Sequence, residues 1–298
     1  MNKKKRMNGS DRAIELIMLL LVLLFVAVVL YPLFYVVVAS LSDPYAVYAG
    51  KTFFWPSGFT LEGYTKVFRE QSIFQGYINS ILYTTVGTVV TTALVFTTAF
   101  PLSRREMPGR NMIMIFYLIT MYFTGGLIPT YIVVSRTGLL DSMWALILPG
   151  GVSVFNVIVT RTYFESSIPQ DMLEAAKIDG CGYLKTFWEI IIPLSKPVMA
   201  VMVVFAMVAF WNDWFTALIY MSDKSHYPLQ LALRQVLVQS QALASALSGM
   251  DGGYAEANRI TELIKFASIV VGAAPMLIIY PFVQKYFEKG FMIGAVKG

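Results

Sequence analysis

The sequence predicts an all-α membrane protein that crosses the bilayer six times within a single domain, residues 1–298. Composition is the first reason: 57% of the residues are apolar, only 14% are charged, and the mean hydropathy is +0.63. Soluble chains average about 25% charged residues. The second reason is that the apolar residues form runs of about 20 or more, which is the length a helix needs to cross the hydrocarbon core. An ordinary soluble domain is therefore excluded.

Six stretches are long and apolar enough to be membrane spans. They are residues 16–39, 78–102, 112–134, 143–163, 198–221 and 264–283. A cleaved signal peptide is an alternative for the first stretch, because a basic segment precedes it. Its apolar run of about 24 residues exceeds the core of a signal peptide, and five more stretches follow, so we interpret it as a span.

Basic residues divide unevenly between the two sides of the predicted membrane. Fifteen lie in the terminal segments and even-numbered loops or, for Arg161, just beside such a loop, and seven lie in the other loops. Because cytoplasmic loops are enriched in Lys and Arg, both termini are expected in the cytoplasm. An even number of spans agrees with that orientation.

Chemistry within the chain is limited by its residue types. Cys181 is the only cysteine and His226 the only histidine, so neither an intrachain disulfide nor a metal site built from these residue types is available. No paired carboxylates suggest hydrolysis, and only Asp213 lies well inside a predicted span. An intramembrane enzyme and an ion-driven secondary transporter are therefore the weaker alternatives, and no cofactor is expected.

A polar but patterned segment, residues 165–197, separates the fourth and fifth spans and predicts a helix–turn–helix. Ser167 and Gln170 have the spacing of a capping box. Met172, Leu173 and Ala176 are expected on one face of the first helix, and Gly180 permits the left-handed backbone that ends a helix.

The second helix of this hairpin is predicted from a stripe at helical spacing and is expected to end at Pro193. The stripe consists of Leu184, Phe187, Trp188 and Ile191. The plainest interpretation is an amphipathic hairpin that packs beneath the bundle.

A specific string in this segment favours a more definite interpretation. It consists of Glu174, Ala175, Ala176 and Gly180, followed by Ile190 or Ile191 and then Pro193. The string resembles the cytoplasmic coupling loop of permease subunits from ATP-binding-cassette importers. The usual Leu-Pro ending is replaced here by Ile192-Pro193, a change of similar shape.

Further matches occur in the order expected for the carbohydrate-uptake branch of that family. They are residues 59–64, Asn79-Ser80, residues 101–104, residues 125–131, Tyr280-Pro281-Phe282 and Lys289-Gly290. Those at 125–131 and near the C-terminus are similar to permeases that import oligosaccharides or polysaccharide fragments.

The resemblance implies a set of partners and a mechanism. A second, usually non-identical permease would pair with this chain, two cytoplasmic ATPase subunits would bind below, and an extracytoplasmic binding protein would deliver the sugar. Closure of the ATPase pair would drive alternating access through the coupling helices. The same machine importing a peptide or polyamine is an alternative. Membrane lipid is expected around the bundle, and no nucleic acid.

Individual roles follow from the resemblance. Glu174 would make a polar contact to the ATPase, with Asp179 as a second candidate. Ala175, Ala176 and Gly180 would allow close approach by being small. Alternatively, Glu174 acts as a cap or forms a salt bridge within its own hairpin.

ATP and Mg²⁺ would be held by the partner ATPase. Gly50-Lys51-Thr52 looks like the end of a phosphate-binding loop, but Tyr45 stands where that motif requires glycine.

Two features could shape the substrate pathway. Trp211, Asn212, Asp213 and Trp214 offer aromatic faces and hydrogen-bonding groups for a sugar, although an aromatic belt with Asn212 and Asp213 bonded to a neighbouring helix is slightly favoured. Gly125 and Gly126 are expected to break the third span and free backbone groups there.

Overall fold

The computed structural model describes residues 9–247 and 253–295, which form helices and connecting loops. The basic residues Lys3, Lys4, Lys5 and Arg6, which contribute to the charge asymmetry, lie outside the described residues. The α-helices are α1 (Gly9–Ser40), α2 (Pro44–Tyr48), α3 (Glu62–Arg69), α4 (Gln71–Ser103), α5 (Arg110–Tyr122), α6 (Leu127–Arg136), α7 (Met143–Ile147), α8 (Val154–Ser167), α9 (Gln170–Ile178), α10 (Tyr183–Thr186), α11 (Ile192–Leu194), α12 (Lys196–Asn212), α13 (Phe215–Tyr220), α14 (Leu229–Ala246) and α15 (Gly253–Ala295). A π-helix, Phe187–Ile191, joins α10 to α11, and a 3₁₀ turn, Lys224–His226, precedes α14.

Three helices of the described residues are long and apolar enough to cross a membrane unbroken: α1, α4 and α15. They contain the first, second and sixth predicted spans, so helix is confirmed for these stretches. Two bent pairs pass the same test when each is taken as one span: α5 with α6, and α10–α11 with α12. Three to five candidate spans are thus found in the described part of the chain.

The fourth predicted span, residues 143–163, is not one continuous helix. Helix α7 ends at Ile147, and α8 begins at Val154. Pro149 lacks a backbone donor, and Gly150 and Gly151 add backbone freedom, so helix propagation stops there. Ser153 then starts α8 by accepting a hydrogen bond from the Asn156 backbone N–H at 3.4 Å.

The other two interrupted spans bend at identifiable residues. Helices α5 and α6 meet at 113°, and Gly126 between them has a φ of 82°, which confirms the predicted break. α11 and α12 meet at 82° around Ser195. The fifth predicted span also ends its first helix at Asn212, before α13 begins.

One compact unit consists of Glu70–Gln235 with the C-terminal part of α15. Helices α8 and α12 pack along α4, and the ring centroids of Phe96 and Phe164 lie 5.5 Å apart, edge to face, in the core between α4 and α8. Gly87 on α4 permits close packing, because a Cβ there would lie 2.7 Å from the Phe210 ring.

The second unit consists of Met1–Arg69 with Val236–Gly272. Arg259 Nη1 lies 2.9 Å from Glu62 Oε2, and Gly63 allows α3 to approach the Leu263 carbonyl oxygen, which would lie 2.7 Å from an added Cβ. The Ser40 and Tyr64 hydroxyls share a 2.7 Å hydrogen bond. These contacts join α1, α3 and α15.

Candidate functional site

Helix α9 is the first helix of the expected hairpin, but it does not begin with the predicted capping box. Ser167 is still the last residue of α8, and Pro169, in extended conformation, is the N-cap of α9 without a side-chain cap. The capping prediction was wrong because the ring of Pro169 disfavours a helical backbone at the residue before it. Ile168 is accordingly extended and separates the two helices.

The C-terminal end of α9 is built as predicted, with glycine in the left-handed region. Gly180 has a φ of 77°. Its N–H donates to the Lys177 carbonyl oxygen at 3.1 Å, and the Cys181 N–H donates to the Ala176 carbonyl oxygen at 2.9 Å. These two bonds form a Schellman motif, which satisfies carbonyl groups that a helix end otherwise leaves unpaired.

The two alanines of α9 face different surroundings. Ala176 is only 6% exposed, and Leu173 packs against the apolar core, so this side of the helix seats on the rest of the chain. Ala175 is exposed, and so is Met172, which was expected on the buried face. Met172 lies about 100° around the helix from Leu173, on the far side of Ala176, so it is at the edge of the buried face and stays 42% exposed.

The second half of the hairpin is more irregular than the predicted helix. Phe187 and Ile191 are buried in the core, whereas Leu184 and Trp188 are 79% and 65% exposed. The single stripe was therefore wrong, and the reason is the π-helix at Phe187–Ile191, which changes the rotation per residue.

Pro193 does not stop this segment, because it lies at the second position of α11, where its missing donor is tolerated. The helical segment instead ends at Leu194. Ser195 follows as its C-cap and begins the bend into α12.

An ion pair ties α9 to the loop between α4 and α5. Lys177 Nζ donates to Glu106 Oε2 at 3.0 Å, and the Tyr183 hydroxyl donates to the same oxygen at 3.3 Å. The hydrogen bond from Lys177 lowers the pKa of Glu106, and the same bond raises the pKa of Lys177. The sequence analysis missed Glu106, since it lies far from the hairpin in the chain and belongs to no motif.

Glu174 and Asp179 are both exposed. Among the residues whose side chains the structure describes, Glu174 makes no hydrogen bond or ion pair. It attracts Lys177 electrostatically, but that lysine is bonded to Glu106. The alternative in which Glu174 pairs within its hairpin is not seen in this conformation. The outward side of α9 thus presents carboxylates beside the small side chain of Ala175.

Within residues 211–214, the two tryptophans pack against other side chains, whereas Asn212 and Asp213 line a cleft. Trp211 is buried near Tyr77, and the Arg234 guanidinium lies 3.7 Å from the centre of the Trp214 ring. Asn212 donates to the Val208 carbonyl oxygen of its own helix at 2.9 Å. Asp213 Oδ1 accepts from the Thr216 N–H at 3.0 Å and so caps the start of α13.

A cleft of about 580 Å³ opens where two interrupted spans face each other. Asn212, Asp213 and Thr216 line it from the break between α12 and α13, and Ser153 and Asn156 line it from the start of α8. Oriented amides, hydroxyls and a carboxylate can hydrogen-bond a polyhydroxylated ligand. Sequence reasoning missed the α8 side, although Pro149-Gly150-Gly151 inside an apolar stretch was a usable signal.

Comparison with known proteins shows the family. Residues 103–293 match the family described as binding-protein-dependent transport system inner membrane component. The chain is 40% identical to Protein LplC of Bacillus subtilis strain 168, covering 91% of this chain and 90% of that protein. It is 38% identical to the polygalacturonan/rhamnogalacturonan transport system permease protein YtcP of the same organism, covering 97% and 100% respectively.

A solved structure agrees with these matches. It is the crystal structure of a bacterial ABC transporter involved in the import of the acidic polysaccharide alginate. One chain of it is 31% identical with a TM-score of 0.82, covering 95% of this chain and 100% of that one. The chain therefore belongs to the family of inner membrane components of binding-protein-dependent transport systems.

Proposed function

We propose that the chain is the transmembrane permease subunit of an ATP-driven importer that takes up an oligosaccharide or polysaccharide fragment. The family assignment supports the permease role, and the printed functions of two relatives, a polygalacturonan/rhamnogalacturonan permease and an alginate importer, support a sugar cargo. Residues 1–298 form one multi-pass domain in the bacterial cell membrane, with six spans and both termini in the cytoplasm.

The observation that carries the coupling role is the division of α9 into a seated side and a free side. Ala176 and Leu173 fix the helix on its own chain, while Glu174 and Ala175 stand outward. A helix held on one side and open on the other can receive a partner and pass its displacement to the core that it rests on. Gly180 shapes the end of this helix, and Asp179 is a further contact for the partner.

The remaining subunits supply what this chain lacks. Two cytoplasmic ATPase subunits bind ATP and Mg²⁺ and carry out hydrolysis, so this polypeptide is not an enzyme. A second, non-identical permease completes the pathway, and an extracytoplasmic binding protein delivers the sugar. The cleft beside Asn212 and Asp213 forms part of the route through this subunit.

Co-purification with the ATPase tests the coupling role. Reversing the charge with Glu174→Lys should weaken ATPase binding at least tenfold, which corresponds to about 1.4 kcal/mol, because a charge-assisted contact is replaced by a mismatch. Glu189→Lys is the matched control, since Glu189 lies in the same hairpin and only approaches Lys185 at 3.9 Å. Equal ATPase recovery with both variants would contradict a contact at Glu174.

A further inference from the structure

Four guanidinium groups surround a small pocket at one end of α4, α5 and α8. We call it the arginine pocket; its volume is about 290 Å³. It is formed by Arg104 and Arg105 after α4, Arg110 at the start of α5, and Arg161 with Glu165 on α8. Gln170, the first residue of α9, also lines it. None of these arginines has a role in the proposed coupling contact or in the sugar cleft.

The arginines are not balanced by acidic partners in the pocket. Glu165 serves two of them, at 3.0 Å from Arg161 Nη2 and 3.6 Å from Arg110 Nη1. Four positive charges less one negative charge leave the lining at +3. Arg104 Nε and Nη2 donate hydrogen bonds to the hydroxyl oxygen of the adjacent Ser103, at 3.0 and 2.9 Å. These bonds satisfy two donors, but a neutral hydroxyl does not balance the positive charge.

One donor in the pocket is left without an acceptor. Arg110 Nη1 is buried and makes no hydrogen bond to any group in the described residues. Its ion-pair partner, Glu165 Oε1, lies 3.6 Å away, which is beyond hydrogen-bond distance, so this buried donor still lacks the acceptor that native structures normally supply. An anion with several oxygens would satisfy this group and offset the net charge.

The surroundings of the pocket select among possible anions. The pocket lies at the ends of membrane helices, and the outward side of α5 next to Arg110 is apolar. It exposes Met112, Ile115, Phe116 and Ile119. A free phosphate ion cannot make apolar contacts with that surface. A phospholipid can place its phosphate among the arginines and its acyl chains along α5. Arginine is well suited to this ligand, since its planar donors match phosphate oxygens.

We propose that the arginine pocket binds the phosphate of an anionic phospholipid headgroup on the cytoplasmic side of the membrane. The bound phosphate, which carries one negative charge, lowers the net charge of the lining from +3 to +2 and joins the ends of α4, α5 and α8 to the start of α9 through Gln170. The proposal concerns lipid binding alone and does not depend on the cargo or on the ATPase contact at Glu174.

Native mass spectrometry of the assembled, detergent-purified importer tests the proposal. The complex is titrated with phosphatidylglycerol and, separately, with phosphatidylcholine of the same acyl chains. Removing one guanidinium by Arg105→Gln or Arg110→Gln should weaken phosphatidylglycerol binding about fivefold each, since one basic residue near an anionic headgroup contributes about that factor. Lys196→Gln is the control, because Lys196 is an exposed basic residue outside the pocket.

Each outcome of the titration decides something. Preference for phosphatidylglycerol that falls in both arginine variants but not in Lys196→Gln supports the proposal. Equal binding of the two lipids, or equal effects of all three variants, overturns it. Displacement of phosphatidylglycerol by inorganic phosphate at equal concentration would identify a free-anion site and would also overturn it. Arg105 is exposed, so its variant keeps the test valid if Arg110→Gln fails to assemble.

Discussion

The left-handed residue that ends α9 offers the sharpest prediction. Gly180 has a φ of 77°, and a Cβ built on it meets no atom within 4 Å. Gly180→Ala therefore adds no clash, and its cost is the backbone strain of an L-residue in this region, about 1–2 kcal/mol. Because the Schellman bonds of Gly180 and Cys181 depend on that conformation, the strain should loosen the end of α9.

Hydrogen exchange measures this loosening directly. A local cost of 1–2 kcal/mol corresponds to about 5–30-fold faster exchange, expected for the amides of Asp179–Cys181 and not for the core of α4. Gly182→Ala is the matched control, since Gly182 has a φ of −71° and equally open surroundings. Gly180→Asn should recover part of the protection, because Asn tolerates the left-handed region. Unchanged exchange in Gly180→Ala, or an equal rise in Gly182→Ala, would show that the left-handed backbone at Gly180 does not stabilise the end of α9.

Three further predictions concern other parts of the molecule. Lys177→Gln should return the pKa of Glu106 toward its ordinary value of 4.5 in an NMR titration. In the wild type the ion pair favours the ionised form of Glu106. The contribution of the pair to stability is therefore complete above pH 4.5 and is lost as the pH falls through the lowered pKa. An unchanged titration would show that the ion pair does not form in solution. Phe164→Ala should cost about 3–5 kcal/mol in the free energy of unfolding, because the ring is fully buried, whereas exposed Phe116→Ala should cost far less; similar losses in a denaturation assay would contradict this core. Asp213→Asn keeps the cap on α13 but removes the charge, so uptake should fall about tenfold with ATPase binding intact if the cleft carries substrate; normal uptake would remove Asp213 from the pathway.

Long apolar runs made the continuous helices predictable from sequence. The runs behind α1, α4 and α15 are long and apolar enough to require a helix in lipid, where backbone groups must bond internally. The helices continue through Pro32, Pro101, Pro275 and Pro281. The break at Gly126 was also predictable, because a pair of glycines within a span favours an interruption of the helix. Pro149-Gly150-Gly151 gave the same kind of signal within the fourth stretch, but hydropathy averaged over the stretch concealed it.

The hairpin shows where local patterns were insufficient. Gly180 was predictable since glycine at a helix end has a specific backbone role. The exposure of Trp188 was not, because the π-helix that turns it outward depends on how Phe187 and Ile191 fit the core. The bond between Lys177 and Glu106 joins segments distant in sequence, and single-sequence patterns carry no information on such pairs.

Site-specific photo-crosslinking from α9 tests whether this helix contacts the ATPase. Ile178 is 87% exposed and is not among the proposed contact residues, so a photoreactive side chain there reports its neighbour without replacing the contact. We expect an adduct with the ATPase subunit in native membranes, and none when the photoreactive side chain replaces Ser222, which lies in a loop expected on the opposite side. Absence of an ATPase adduct at position 178 in an assembled, transporting complex would contradict the claim that α9 receives the motion of the ATPase.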